Sequence, residues 1–164
     1  MTVKPTGFVS ILCILLITGC TPSEEIDNAS PWFSEVAVAS GIDFVHHSGY
    51  DGRPMMPEMM GGGVALADID RDNDLDLYLV QSGRVDRSLP AEQSANVLYL
   101  NRGNGHFEKV PDAAGAGDRG YGMGVAAADY DNDGDADLYV SNYGRNTLYR
   151  NEGDARFVDA TEAA

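Results

Sequence analysis

Ten aspartates are gathered into two nine-residue runs, Asp68-Ile-Asp70-Arg-Asp72-Asn-Asp74-Leu-Asp76 and Asp129-Tyr-Asp131-Asn-Asp133-Gly-Asp135-Ala-Asp137. Carboxylates at alternate positions of a curling turn can be brought inward together. Five negative charges in so short a stretch repel one another unless something neutralises them. A hard cation taking about six to eight oxygens in a flexible shell suits this arrangement, which points to one Ca²⁺ per run. Positions 1, 3, 5 and 9 offer carboxylates. Position 7 most naturally offers its backbone carbonyl, leaving the Asp74 and Asp135 side chains to act through charge. Position 6 calls for a tight bend, which Gly134 meets without steric cost and Asn73 nearly as well. The spacing predicts two calcium sites of weak, extracellular-type affinity, about 10⁻⁴ to 10⁻³ M.

Other chemistries fit less well. An EF-hand loop opens the same way but needs a bidentate Glu at position 12 and flanking helices. That position here is Leu79 or Val140, inside strand-like runs. Mg²⁺ prefers a small octahedral shell with retained waters. A carboxylate hydrolase would need one asymmetric pair in distinct environments, whereas here the same set occurs twice. No Ser–His or Cys–His arrangement stands out, so the chain is read as a non-enzyme.

The elements that must hold these runs are visible as a repeat. Gly61 to Gly83 returns 61 residues later as Gly122 to Gly144, and Asn96 to Val110 returns 50 residues later as Asn146 to Ala160. The difference places an insertion at 84–95 in the first copy. A third element opens at Phe33, Phe107 and Phe157, with a glycine eight residues on at Gly41 and Gly115, and runs out at Ala164 in its last copy. Period-two apolar runs at Val64–Ala67, Leu75–Leu79, Val97–Leu100 and His106–Val110 predict four short antiparallel strands per unit. No segment has a helical apolar period. The expected fold is all-β, with about two four-stranded blades of an incomplete propeller, because one such sheet cannot bury both faces alone.

The first residues read as an address. Lys4 precedes an apolar run too short for a comfortable membrane span, and the run ends Ile17-Thr18-Gly19-Cys20. This resembles a bacterial lipobox, which implies a signal peptide over 1–19 and a lipid on Cys20. A polar tether follows over 20–31, then the repeat region over 32–164. Thr21 after the cysteine favours outer-membrane sorting. Cys13 would leave with the signal, so no disulfide framework is expected. The formal charge of −15, from 26 acidic and 11 basic residues, excludes nucleic acid as a charge-held partner. Contact with a membrane is then expected through the lipid anchor alone.

ALADIDRDNDLDLYLV and AAADYDNDGDADLYVS resemble the FG-GAP (VCBS-type) repeats of integrin α-subunit propellers. The stretches Phe33-Ser-Glu-Val, Ser40 to Gly49, Pro57 to Val64 and Asn96 to Phe107 resemble the ASPIC/UnbV-associated and cartilage acidic protein-like family. The resemblance covers 32–164. It implies a calcium-bound propeller in which Asp68, Asp70, Asp72 and Asp76, and Asp129, Asp131, Asp133 and Asp137, are ligands, with Asp74 and Asp135 contributing through the backbone. The function it implies is a cell-surface or periplasmic module for protein or glycan interaction or for structural support. The alternatives are a remnant or subunit of a larger envelope enzyme, or a fragment needing a missing-blade partner or self-association.

Several other residues invite chemistry and read better as structure. His46 and His47, placed on a strand, point to opposite faces, one buried and one exposed. Gly61–Gly63 lacks the Lys and Ser/Thr of a phosphate loop and reads as a close backbone approach. Met55, Met56, Met59 and Met60 form an apolar patch around Pro57 that reads as packing against a neighbouring blade rather than as a copper or haem site. Tyr78, Tyr99, Tyr139 and Tyr149 recur in pattern, and Trp32 is expected to pack against the first strand.

Overall fold

The structure, a computed structural model, describes residues 31–85 and 94–163. The chain divides into a unit ending at Ser34 and a second unit, Glu35–Ala164, which contains every strand of the described residues. The expected signal segment, Cys20 and most of the tether lie outside the described residues. No helix among the described residues is long and apolar enough to cross a membrane.

Among the described residues, eight strands form two separate antiparallel sheets, each with its strands side by side in chain order. The first comprises β1 (Val64–Ala67), β2 (Asp76–Leu79), β3 (Val97–Asn101) and β4 (Phe107–Val110). The second comprises β5 (Gly122–Ala128), β6 (Asp137–Asn142), β7 (Thr147–Asn151) and β8 (Phe157–Asp159). The aspartate runs are the β1–β2 and β5–β6 connections. Tight glycine turns join β3 to β4 and β7 to β8, closed by Arg102 N–H to the His106 carbonyl and Glu152 N–H to the Arg156 carbonyl, both at 2.8 Å. The all-β, two-blade expectation is met, and the strand starts differ from the sequence reading by one residue at β2 and β4.

Because strand side chains alternate, each sheet has two faces. In sheet 1, Ala65, Tyr78 and Leu98 are cross-strand neighbours on one face, and Leu66, Leu77 and Tyr99 on the other. The first face meets sheet 2. Ala65, Tyr78, Val80, Leu98 and Leu100 form one core with Leu138, Val140, Tyr149 and Phe157. The inner strands approach so closely that a Cβ on Gly63 would lie 2.7 Å from the Gly124 backbone, as the glycine run predicted. The Tyr78 hydroxyl donates to the Ala116 carbonyl at 2.6 Å and accepts from the Asn96 amide at 3.0 Å, tying the connector between sheets into that core.

Three smaller expectations need correcting. Residues 42–50 are irregular rather than strand, so the histidine faces are not set by alternation, and neither ring is buried. His46 instead shares a 3.0 Å hydrogen bond with Ser82, whose hydroxyl donates to the Gly122 carbonyl. Trp32 is 91% exposed among the described residues. The methionines are not buried: Met55, Met56, Met59 and Met60 are all exposed, although Met56 and Met60 line an apolar hollow with Pro57, Met123 and Tyr143.

Candidate metal centre

Each aspartate run is folded by its own side chains onto its own backbone. The first and last residues of the turn do most of this. In the first loop, Asp76 accepts from Ile69 N–H (2.8 Å) and Asn101 N–H (2.9 Å), one on each oxygen. In the second, Asp137 accepts from Tyr130 N–H (2.9 Å) and Asn151 N–H (2.8 Å). Asp68 accepts from Asn73 N–H at 3.1 Å and Asp129 from Gly134 N–H at 3.0 Å. Asp72 and Asp133 each accept from the backbone two residues on, both at 2.9 Å. The two loops therefore share one hydrogen-bonding plan. The bend at position 6 is as predicted, with φ of 71° at Asn73 and 95° at Gly134. A second left-handed residue was not foreseen, at position 4, where Arg71 has φ 63° and Asn132 φ 62°.

This folding brings together Asp68, Asp70 and Asp76 in one loop and Asp129, Asp131 and Asp137 in the other, each set with oxygens within 4.8 Å of one another. Asp72 and Asp133 are exposed and hold the turn. Asp135 is turned away toward the Arg71 guanidinium, 3.5 Å off, while Asp74 faces the β3–β4 turn at Gly103. Either set could hold a cation. The first carries the sharper indication, because the Asp68 and Asp70 Oδ1 atoms are shut off from solvent and have no hydrogen-bond partner. Such orphaned acceptors are costly and call for a ligand of their own. Oxygen-only donors that crowd like charge suit a hard divalent ion.

Electrostatics agrees with this. Burial, with the Asp72 charge adding, pushes the Asp70 carboxyl above the ordinary carboxylate range. Burial also raises Asp76, against the pull of the Asn101 and Ile69 N–H groups. Asp131 is raised by desolvation and by Asp133. Ionising these groups costs free energy that a bound cation would offset.

What the sequence reading did not find is the part played by Asn101 and Asn151. Each backbone N–H holds the last aspartate of its loop, and each side chain then accepts from the glycine two residues on, at 3.0 and 3.1 Å. Asn151, fully buried, also donates to the Ile69 carbonyl at 2.8 Å, so a residue of sheet 2 fixes the loop of sheet 1. The signal was present in the duplicated Asn-x-Gly after each third strand.

Four-stranded antiparallel sheets in chain order, packed face to face with an acidic loop between their first two strands, define β-propeller blades. A model of the FG-GAP-like repeat matches residues 81–140 and 129–164, together just over half of the chain, and the protein belongs to that family. The first aspartate loop lies before the matched residues and follows the same plan. The repeat is a structural unit rather than a catalytic one. No curated protein matches the chain.

Proposed function

We propose that the protein is a calcium-stabilised propeller module of the bacterial envelope, presenting its loops and faces to a protein or glycan. The observation that carries the calcium reading is the pair of buried, unpartnered oxygens on Asp68 and Asp70 beside Asp76. Asp68 and Asp70, and Asp129 and Asp131, would supply the free carboxylate oxygens. Asp76 and Asp137 would add charge and their remaining lone pairs. Asp72 and Asp133, and the Asp74 and Asp135 backbone, complete the set that the family resemblance implies. The ion supplies charge neutralisation and rigid loops rather than chemistry. Export and a lipid on Cys20 rest on the lipobox-like leader, and Cys20→Ser should abolish incorporation of labelled fatty acid.

The test is a calcium titration of the full chain in mild detergent, followed by near-ultraviolet circular dichroism. Because Trp32 is exposed, the signal should come from buried Tyr78, Tyr99 and Tyr149. A tyrosine signal that sharpens with calcium and fades on chelation, with magnesium a poor substitute, supports the reading. No change up to about 10 mM calcium, above the affinity range of extracellular modules, would sink it.

A further inference from the structure

The two aspartate loops are physically joined. Asp76, which closes the first loop, accepts from Ile69 N–H, and the Ile69 carbonyl accepts from the Asn151 side-chain amide. The Asn151 N–H is given in turn to Asp137, which closes the second loop. Each of these bonds is 2.8 Å long. Asp76 and Asp137 each belong to the carboxylate set of their own loop. A carboxylate of the first set is thus tied to a carboxylate of the second by an unbroken series of hydrogen bonds. Asp76, Ile69, Asn151 and Asp137 are all at most 1% exposed. Water is therefore excluded along the whole path, which strengthens each bond.

Asn101 shows what the link adds. It holds the same repeat position 50 residues earlier. Its N–H holds Asp76 as that of Asn151 holds Asp137, and both side chains accept from the glycine two residues on. Both side-chain amides also reach back to a carbonyl of their own loop, Leu75 or Ala136, at 3.3 Å. Among the described residues, only Asn151 adds a shorter bond, at 2.8 Å, to the loop of the neighbouring sheet. A second contact runs the same way, from Arg71 of the first loop to the Asp135 carboxylate of the second at 3.5 Å. Arg71 is 60% exposed, so water weakens that pair and the buried path through Asn151 dominates.

We infer that the two cation sites are coupled through Asn151, so that filling the first loop strengthens binding in the second by about three-fold or more. The inference rests on the calcium reading of the loops and adds to it a regulation of one site by the other. A cation held by Asp68, Asp70 and Asp76 fixes Ile69, and Ile69 fixes the Asn151 amide. Asp137 then meets its own ion with its N–H partner already in place, and less ordering remains for the second binding event. By linkage the second ion strengthens the first by the same factor. Charge acting through space has the opposite sign, because a filled first loop is less negative and attracts a second cation less. That field is screened over about 8 Å at physiological salt, whereas bonds shut away from water are screened far less. The sign of the coupling and its response to salt therefore separate the two routes.

The test is a calorimetric calcium titration of the full chain in mild detergent, at about 0.15 M and about 0.5 M potassium chloride. The phase that Asp129→Asn removes belongs to the second loop. Its dissociation constant in the intact chain is compared with that in Asp68→Asn, whose first loop is disabled. The constant should be about three-fold or more higher in Asp68→Asn, at both salt concentrations. On an Asn151→Ala background, Asp68→Asn should leave the second loop's affinity unchanged. On an Asn101→Ala background, which loses the matching bonds within sheet 1 alone, the difference should persist. Where Asn151→Ala does not fold, Asn151→Ser keeps a polar side chain too short to reach Ile69 and takes its place. Equal affinity, or tighter binding in Asp68→Asn, overturns the coupling and leaves two independent calcium sites. A difference that survives loss of the Asn151 side chain overturns it as well. Absence of any binding heat in the intact chain overturns the calcium reading, and the coupling with it.

Discussion

Tyr78 and Tyr139 occupy the same position of the repeat, and so do Ile69 and Tyr130, yet the first of each pair is 1% exposed and the second 46% and 41%. On the opposite faces the order reverses, with Leu138 fully buried and its counterpart Leu77 only half so. Sheet 1 is thus finished on the side that meets sheet 2, while its other face buries Tyr99 and leaves Val64 and Leu66 exposed. Sheet 2 is finished where it meets sheet 1 and open beyond. Equivalent repeat positions do not have equivalent environments, because a blade face is buried by the blade next to it. The aspartate loops show both behaviours. Four bonds recur in each, to the first, fifth and ninth residues of the run, while Asp133 N–H adds contacts to Asp129 and Asp131 in the second loop. Their exposure differs, since Asp68 and Asp70 are half-buried beside sheet 2 whereas Asp129 and Asp131 are exposed.

The largest effect should come from the tyrosine pair. Tyr78→Ala removes a buried ring and its bonds to Ala116 and Asn96, and should cost about 3–5 kcal/mol in urea unfolding. Tyr139→Ala should cost about 1 kcal/mol or less. Equal losses would break the claim that one neighbour finishes one face.

Asp76→Ala and Asp137→Ala should instead behave alike. Each strands one buried and one part-buried N–H group and should cost about 2–4 kcal/mol in chelator. A large disparity would mean that the shared loop plan does not carry equal weight in both sheets.

The cation should tell the loops apart again. Attraction strengthens where water is excluded, so the first loop should bind calcium about five-fold or more tightly than the second. Asp68→Asn should then delete the tighter phase of a calorimetric titration and Asp129→Asn the weaker. The reverse assignment would show that exposure does not set affinity here.

The smallest effect is on pH. Asp70, Asp76 and Asp131 have folded-state pKa values raised above 3.8. Their stabilising contribution is complete below the unfolded pKa and is lost as pH rises through the folded one. Asp43, Asp51 and Asp159 are shifted the other way, by Tyr99, Arg53 and Thr161 first. Their contribution is present above the unfolded pKa and lost as pH falls through the folded one. These three lie at the surface, where water screens their partners. In chelator, the melting temperature should therefore fall as pH rises from about 4 to about 6. In saturating calcium it should rise, because the ion competes with protons for the same oxygens. A melting temperature in chelator that climbs over that range would contradict the raised carboxyls.

Much of this architecture could be read in the residues themselves. The 61- and 50-residue shifts located both sheets, the Asp spacing located both loops, and Asn73 and Gly134 were rightly placed at the bend. Those features depend on neighbours a few residues apart, whose backbone geometry is set by steric and hydrogen-bonding rules. Trp32 and the histidines were misjudged for the opposite reason. Whether a ring is covered depends on chain that arrives from far away.

The sequence alone determined the repeat, its strand period, the acidic turns and the family they belong to, because alternation, glycine freedom and carboxylate crowding are short-range effects. Only the tertiary structure decided which face of each sheet is buried and that Asn151 of the second sheet fixes the loop of the first. Burial is a property of two surfaces meeting, and which surfaces meet is decided by how whole sheets stack.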